Sequence, residues 1–279
     1  MGKSDEPLAI KIAPATRVHL ADLPTAGTGG LDKDDGAQAL APLCEELNEL
    51  QALMWGAGTH ALLCVLQGRD ASGKDGVINH VLNAVNPQGL AITSFKVPTP
   101  PEAARDFLWR VHAAVPPKGV LGVFNRSHYE QVLVVRVHNL APPAQIEAAY
   151  EQINDFERLL TSTGTLVVKF HLHISKQEQA ERLREREEEL TKAWKLNPDD
   201  WAERQYWDAY TDAYDAALTR CSPANAPWYV VPADHKWAAH LAVARVLRDT
   251  LRPYRDTWRA ALKAVQETQL AALAKVARD

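Results

Sequence analysis

The sequence predicts an α/β fold in which helices cover both faces of a parallel five-stranded sheet. Three observations favour this fold class. Strand-like apolar segments alternate with helical segments, a glycine-rich loop joins the first strand to a helix, and no internal repeat interrupts the alternation. Parallel strands joined by crossover helices produce this order of elements. Because such sheets bind ligands at the carboxyl ends of their strands, polar residues that follow a strand are the candidates for chemistry.

The predicted strands are rich in apolar residues and end at turn signals. The helical segments between them repeat apolar residues at spacings of three and four. The strands are predicted at residues 63–67, 90–97, 120–124, 166–173 and 228–232. The helices are predicted at residues 37–55, 77–82, 102–114 and 143–161, and from the fifth strand to the end of the chain with an interruption near Pro253.

Two segments lie outside this alternation. Residues 1–36 show little apolar periodicity and end in a stretch rich in glycine and aspartate, so we expect an N-terminal arm there. Residues 37–279 are predicted to form a single domain. Within it, residues 175–219 are helical, heavily charged and without a strand signal, and we expect a helical lid at about residues 175–220.

The composition excludes several classes of protein. The chain has 279 residues, of which 46% are hydrophobic and 24% charged, with three cysteines and a formal net charge of -4. Three scattered cysteines do not make a disulfide framework, and an acidic balance argues against a nucleic-acid partner. A polyanionic substrate stays compatible, because a basic channel can coexist with an acidic exterior. No signal peptide or run of 18 apolar residues occurs, so we expect a cytoplasmic protein without a membrane partner.

The first predicted strand leads into a sequence typical of a phosphate-binding loop. Residues 63–81 read LCVLQGRDASGKDGVINHV, which indicates a buried strand, a loop of small residues and the start of a helix. Gly68 and Gly73 permit a sharp turn that directs backbone N–H groups at phosphate oxygens. Lys74 follows, where its ammonium can reach a phosphoryl group in transfer. The alternative is an ordinary glycine-rich turn with a capping aspartate and a surface lysine.

The loop departs from the G-x-x-x-x-G-K-[ST] pattern at its last position, because Asp75 stands where a Ser or Thr would bind Mg²⁺. The metal must therefore be held in another way. Asp70 and Asp75 are hard oxygen ligands that could bind Mg²⁺ together with substrate phosphates. Ala71, Ser72, Asp75 and Gly76 are predicted to line the phosphate or nucleotide site.

A polar cluster follows the third predicted strand directly. Arg126 can neutralise charge on transferring phosphoryl oxygens, a role for which its planar set of donors is suited. Asn125 is either a neutral oxygen ligand or an orienting hydrogen-bond partner. Ser127 and Glu130 also have the spacing of a helix capping box, and both interpretations can hold together.

Arg182 and Arg186 lie four residues apart in the predicted lid, on one face of a helix. Two guanidinium groups above the sheet could clamp phosphates. The alternative is a solvated helix stabilised by ion pairs, because acidic and basic residues are mixed throughout the segment.

Together these segments resemble the two signature segments of the polyphosphate kinase 2 family. The first is Gly68-x-Asp70-x-x-Gly73-Lys74-Asp75-Gly76, and the second is FNRSHYE at residues 124–130 followed by VH at 137–138. Residues 95–100, 171–176, 194–196, 226–228 and 233–236 agree as well, and the resemblance covers roughly residues 40–251.

This resemblance implies a thymidylate-kinase-like P-loop kinase fold with a lid. It also implies Mg²⁺-dependent, reversible transfer of a phosphoryl group from inorganic polyphosphate to AMP or ADP, giving ADP or ATP, by a homodimer or homotetramer. By position, Asp70 would hold Mg²⁺ and orient the acceptor phosphate, and Lys74 would bind the phosphates with the loop amides. Arg126 would stabilise the developing charge, and Arg182 and Arg186 would grip the phosphates.

One position departs from the family, which often has Asp where this chain has Asn125. The asparagine resembles the branches that accept AMP, and Glu130 is a candidate substitute for the missing metal ligand. Lys96, Lys195 and Lys236 are candidates for lining a polyphosphate channel. Two other functions stay open: an ATP-dependent nucleotide or small-molecule kinase on the same fold, and a non-catalytic nucleotide-binding switch.

Overall fold

The structure is a computed structural model and describes residues 6–276, with the side chain of residue 192 outside the description. Residues 1–5 of the predicted arm and the last three residues of the predicted domain also lie outside the described residues. The strands are β1 (Ile10–Lys11), β2 (Ala61–Gln67), β3 (Leu90–Ser94), β4 (Leu121–Asn125), β5 (Thr165–His173) and β6 (Trp228–Pro232).

Eleven α-helices surround the sheet within residues 6–276. They are α1 (Lys33–Ala57), α2 (Lys74–Val81), α3 (Pro100–Ala103), α4 (Trp109–His112), α5 (Val134–Val137), α6 (Pro143–Ser162), α7 (Lys176–Glu188), α8 (Pro198–Ala202), α9 (Trp207–Arg220), α10 (Lys236–Leu251) and α11 (Arg255–Leu273). Short 3₁₀ segments stand at Leu20–Asp22, Leu82–Ala84, Pro87–Gly89, His128–Val132, Leu190–Lys195, Glu203–Tyr206 and Arg252–Tyr254.

The sheet has the strand order β1-β6-β5-β2-β4-β3. The five strands β2 to β6 are parallel, as the sequence predicts. The predicted count of five is wrong, because β1 pairs antiparallel with β6 and makes a sixth strand. Its two residues, Ile10 and Lys11, come from the N-terminal arm and are too few to show strand periodicity. The arm is therefore tied to the edge of the sheet, opposite Val230 and Tyr229.

Strand β2 lies at the centre of the fold, and all seven of its residues are buried. Its alternate side chains enter two different cores, as expected for a strand covered on both faces. Cys64 and Leu66 pack with α1, α2 and α10, including Leu50 of α1. Leu63 and Val65 pack on the other face with residues of α6 and α9.

Three predicted boundaries differ from the structure. The helix predicted at residues 102–114 is broken into α3 and α4, because the Asp106 side chain accepts from the backbone N–H of Leu108 and forms a turn instead. Helix α1 begins before residue 37, since Asp32 accepts from the N–H groups of the next two aspartates and caps it. The second predicted strand ends at Ser94 and not at residue 97.

The segment at residues 175–220 is helical and contains α7, α8 and α9 with two 3₁₀ segments between them. It contains no strand, as predicted. None of the helices within residues 6–276 is both long enough and apolar enough to cross a bilayer.

Candidate active site

The candidate site forms at the carboxyl ends of β2 and β4, which are neighbours in the sheet. Leu66 of β2 stands opposite Asn125 of β4, and the backbone N–H of Arg126 donates to the Leu66 carbonyl at 3.0 Å. The two predicted signature segments are therefore adjacent. Arg126 and Ala71 have φ angles of 61° and 62°, a left-handed conformation that non-glycine residues rarely adopt and that is concentrated at functional sites.

The phosphate loop, residues 68–74, takes the sharp turn that its glycines predict. Gly68 has a φ of 153°, and a Cβ there would lie 2.6 Å from Oγ of Ser72 and 2.9 Å from the Leu172 carbonyl oxygen. Gly73, with a φ of 108°, precedes the first turn of α2. Both positions therefore require glycine.

Lys74 folds back beneath the loop. Its Nζ donates to the carbonyl oxygens of Gly68 at 2.7 Å and Arg69 at 3.1 Å. Burial, together with the nearby charge of Arg126, lowers the pKa of Lys74 to about 8. The ammonium is thus held at the loop by two backbone carbonyls.

Three of the predicted residues meet in one cluster. Nη2 of Arg126 lies 2.5 Å from Oδ1 of Asp70, and its Nη1 lies 3.8 Å from Oε2 of Glu130. Burial alone would lower the pKa of Arg126, but these two carboxylates raise it above its ordinary value. Arg126 is therefore a fixed positive charge at the site, with part of its surface open to solvent.

Glu130 is held in this cluster by hydrogen bonds. Its Oε1 accepts from Nε2 of Gln67 at 2.9 Å, and Oγ of Ser127 donates to Oε1 of Gln67 at 3.0 Å. Ser127 also accepts from the N–H of Tyr129, so it caps the 3₁₀ segment as predicted. The second half of the expected capping box is different, because Glu130 contacts Gln67 and Arg126.

Asn125 takes the orienting role of the two that the sequence leaves open. Its Nδ2 donates to Oδ1 of Asp75 at 3.0 Å, and Nζ of Lys195 lies 2.6 Å from the other oxygen, Oδ2. Burial would raise the pKa of Asp75, but Lys195 and Asn125 hold it below its ordinary value. Asp75 is thus an ionised carboxylate with a donor on each oxygen.

Arg186 extends from α7 to α8, where its Nη1 lies 2.9 Å from Oδ2 of Asp200. Burial and then the negative charge of Asp70 raise the pKa of Asp200, which indicates that these two carboxylates are close enough to repel. Sequence reasoning did not identify Asp200. Its only signal is its place in a charged helical segment, where most acidic side chains are solvated.

Arg182 does not stand where the resemblance places it. Its relative exposure is 4%, and its guanidinium donates to backbone carbonyls of the phosphate loop and of the segment after β6. The expected grip on phosphates does not fit this arrangement, since the guanidinium is buried and its donors are bound to backbone carbonyls.

An aromatic cavity opens beside Asp70 and Arg126, with an empty volume of about 470 Å³ that includes its mouth. Trp207, Tyr210 and Tyr214 of α9 line it. The Arg69 guanidinium stacks 3.8 Å from the centre of the Trp207 ring and donates to the Trp207 carbonyl, which fixes α9 against the loop. The sequence does not locate this cavity, because its tryptophans are compatible both with core or lid packing and with stacking on a base.

The donors of the site fit Mg²⁺ only in part. Within residues 6–276, no group of three or more His, Cys, Asp or Glu side chains is arranged to hold a metal ion. Arg126 occupies Oδ1 of Asp70, so Oδ2 can bind a cation, whereas both oxygens of Asp75 already have donors. Such a site suits an ion that takes one or two carboxylates and completes its coordination with substrate phosphates and water.

A glycine-rich loop after a central parallel strand, an arginine paired with two carboxylates and a helical segment at residues 175–220 define the class as an α/β protein with a polar site at the carboxyl ends of its strands. The model of the polyphosphate kinase 2 (PPK2) family matches residues 30–257, and the chain belongs to this family.

Two named relatives and one solved structure are similar to this chain over most of its length. A protein of Meiothermus ruber named AMP/ADP-polyphosphate phosphotransferase is 49% identical over 219 residues, which is 78% of this chain and 82% of the relative. An ADP-polyphosphate phosphotransferase of Rhodopseudomonas palustris is 44% identical over 233 residues, covering 78% and 80%. The crystal structure of polyphosphate kinase 2 from Arthrobacter aurescens TC1 superposes with a TM-score of 0.84 at 41% identity, covering 91% of this chain and 93% of the other.

Proposed function

We propose that this protein is a polyphosphate-dependent nucleotide phosphotransferase that moves a phosphoryl group from inorganic polyphosphate to AMP or ADP, reversibly. One observation carries the proposal: Arg126 and Asp70 are paired at 2.5 Å directly beside a phosphate loop whose lysine is also in place. The name of the Meiothermus ruber relative supports the same donor and acceptors.

In the proposed reaction, an oxygen of the acceptor's terminal phosphate attacks the terminal phosphorus of polyphosphate. The new P–O bond forms as the bond to the rest of the chain breaks, so polyphosphate becomes one phosphate shorter and keeps the bridging oxygen. The loop N–H groups and Lys74 bind the donor phosphates, and Arg126 stabilises charge on the transferring group. Asp70 orients the acceptor. No covalent protein intermediate is required, because positioning and charge neutralisation supply the catalysis.

Mg²⁺ is the proposed cofactor. Asp70 would hold it through Oδ2, with Glu130 or the side-chain oxygen of Asn125 as a further ligand. When bound, the ion would neutralise charge between the donor and acceptor phosphates. Gly68, Ala71, Ser72, Gly73 and Gly76, with Arg186 from the lid, complete the proposed phosphate-binding surface, and Asp75 is placed to anchor the lid.

We propose that the nucleoside of the acceptor binds in the aromatic cavity lined by Trp207, Tyr210 and Tyr214. The cavity begins at Asp70 and Arg126, and its lining combines aromatic rings with charged side chains, which suits a base and a ribose that need both stacking and hydrogen-bond partners. Asn125 supports AMP as an acceptor in addition to ADP, because an asparagine at this position resembles the family branches that accept AMP.

A homodimer or homotetramer in the cytoplasm is the proposed state of the protein. Apolar residues exposed on α11, including Val265, Leu270 and Leu273, support self-association. Light scattering coupled to size-exclusion chromatography measures the state directly, and a monomer at micromolar concentration would contradict it.

A chromatographic nucleotide assay tests the function. Purified protein is incubated with magnesium and long-chain polyphosphate, and AMP and ADP are supplied in separate reactions. We expect AMP to give ADP and then ATP. Reaction with ADP alone would overturn the inference from Asn125, and consumption of ATP with a small-molecule acceptor, without use of polyphosphate, would favour a conventional kinase.

A further inference from the structure

Every backbone carbonyl oxygen from residue 68 to residue 72 accepts a hydrogen bond from a side chain. Lys74 binds the first two, at Gly68 and Arg69. Nε2 of Gln179 donates to the carbonyl of Asp70 at 3.0 Å. Nη1 of Arg182 donates to the carbonyls of the next two residues, Ala71 and Ser72, at 3.1 and 3.2 Å.

Arg182 has an acceptor for each of the five N–H groups of a guanidinium. Besides the two loop carbonyls, its Nη2 donates to the carbonyls of Ala233 at 2.5 Å and Asp234 at 3.1 Å, and its Nε lies 2.7 Å from Oε1 of Glu178. With all five donors engaged and 4% relative exposure, the side chain has none to offer to a phosphate.

These contacts determine where the loop's N–H groups point. A carbonyl and the N–H of the following residue share one planar trans peptide unit and point in opposite directions. Because Arg182 fixes the carbonyl of Ser72, it also fixes the N–H of Gly73, on the side away from α7. The carbonyl of Ala71 likewise fixes the N–H of Ser72, which closes the loop by donating to the Arg69 carbonyl at 3.1 Å.

We propose that Gln179 and Arg182 of α7 are positioning residues that hold the phosphate loop in its binding conformation, and that Arg182 is not a phosphate ligand. This proposal rests on the proposed function only in that its test measures kcat of the proposed reaction. Gln179 is itself held, because Nη1 of Arg204 donates to its Oε1 at 2.7 Å. The first two turns of α7 are thereby fixed to the loop.

The test compares Arg182 with Arg186, which lies on the same helix and has 20% of its side chain exposed. Arg182→Lys, Arg182→Met, Arg186→Lys and Arg186→Met are assayed at a temperature where each variant is folded. Lysine restores the charge at position 182 but supplies three donors where five are used. We expect both Arg182 variants to lose at least about tenfold in kcat. Without the arginine contacts, the loop N–H groups are no longer held in the orientation that stabilises the transition state.

Binding of tripolyphosphate, measured by calorimetry over a range of salt concentrations, separates positioning from direct contact. Each cation that contacts a polyanion contributes to the slope of log Kd against log salt, because contact releases bound counterions. We expect the Arg182 variants to bind more weakly with an unchanged slope. Arg186→Met should reduce the slope by about one contact. A reduced slope in Arg182→Met, or wild-type turnover in Arg182→Lys, would overturn the proposal.

Gln179→Met keeps the proposal testable if the Arg182 variants do not fold, because it removes only one loop contact. We expect lower kcat and an unchanged salt slope for this variant, and wild-type kcat would contradict the proposal. Wild-type protein that neither binds tripolyphosphate nor uses polyphosphate would instead overturn the proposed function. The slopes are then measured with ATP, whose phosphates bind the same loop.

Discussion

Nζ of Lys195 lies 2.6 Å from Oδ2 of Asp75, so an ion pair joins the 3₁₀ segment Leu190–Lys195 to α2, the helix that follows the glycine-rich loop. Asn125 donates to the other carboxylate oxygen at 3.0 Å. Asp75 stands where a phosphate loop ordinarily has the hydroxyl that binds Mg²⁺. Here the position carries a contact between α2 and the 3₁₀ segment Leu190–Lys195, and its partner on β4 is Asn125.

The Asp75–Lys195 pair predicts coupling between the two residues. Lys195→Met should lower kcat/KM up to about fivefold, because an ion pair that is partly exposed on both sides contributes up to about 1 kcal/mol. Asp75→Asn weakens the same contact, so the double variant should lose less than the product of the two single losses. Lys263→Met on α11 is the control and should leave kcat/KM unchanged. Independent, multiplicative losses would show that the pair does not hold the lid.

Asp70 and Lys74 are predicted to contribute most to turnover. Asp70→Asn and Lys74→Ala should each lower kcat by at least about 100-fold, since each removes charge that orients or stabilises the transferring group. Circular dichroism should show an unchanged fold. Glu151→Gln, an exposed change on α6, is the matched control for loss of one carboxylate and should keep wild-type turnover. Unchanged turnover in either site variant would contradict the site assignment.

Much of the fold can be predicted from this sequence because its signals are local. Each parallel strand is a short apolar run between turn signals. Gly68 and Gly73 indicate the loop without information from distant parts of the chain. Strand β1 has two residues, and its pairing with β6 depends on a partner more than 200 residues away. The turn at Asp106 was missed because a side chain there replaces a helical hydrogen bond.

Part of the site can also be predicted from local signals in the sequence. Asp70, Arg126 and Glu130 follow neighbouring strands, so strand order alone brings them together. The roles of Arg182 and Lys195 depend on how the lid docks, which sequence spacing does not determine. Arg182 and Arg186 share a helix face in the sequence pattern, but Arg182 is buried against the loop carbonyls and Arg186 reaches Asp200.

The lowered pKa of Lys74 predicts that activity falls in alkaline solution. Its pKa is lowered from 10.5 to about 8 by burial and by Arg126, so the free enzyme loses this charge as pH rises through about 8. Because kcat/KM reports the free enzyme, it should fall by roughly tenfold near pH 9. Substrate phosphates are already fully ionised there, since their last pKa is about 6. A bound phosphate favours the charged lysine, so kcat should change less.

Unfolding does not explain this expected loss. Between pH 8 and 10.5 the unfolded chain keeps the Lys74 proton while the folded protein releases it, so this residue makes the fold more stable as pH rises through that window. Initial rates from pH 7 to 9.5, with circular dichroism at each pH, measure both quantities. A kcat/KM that stays level to pH 9.5 would show that Lys74 is not required in its charged form.

Substituting either partner of a buried ion pair near the site should have a large effect on stability. Lys169 of β5 and Glu157 of α6 form it, both fully buried, and the Glu157 carboxylate also accepts from the Tyr129 hydroxyl at 2.9 Å and lies 3.2 Å from Nε2 of His128. Since His128 and Tyr129 lie two and three residues after Arg126, the pair anchors the segment that carries this arginine. Removing one partner leaves a buried charge without its counterion.

Glu157→Ala and Lys169→Met should therefore each lower the free energy of unfolding by about 3–5 kcal/mol. The double variant Glu157→Leu with Lys169→Met removes both charges and should lose much less than the sum, because apolar groups of similar volume can replace a buried pair. Urea denaturation followed by circular dichroism measures these values. Asp155→Ala, which breaks the exposed pair with Arg158, is the control and should lose less than about 1 kcal/mol. Equal losses in Glu157→Ala and Asp155→Ala would contradict the role assigned to the buried pair.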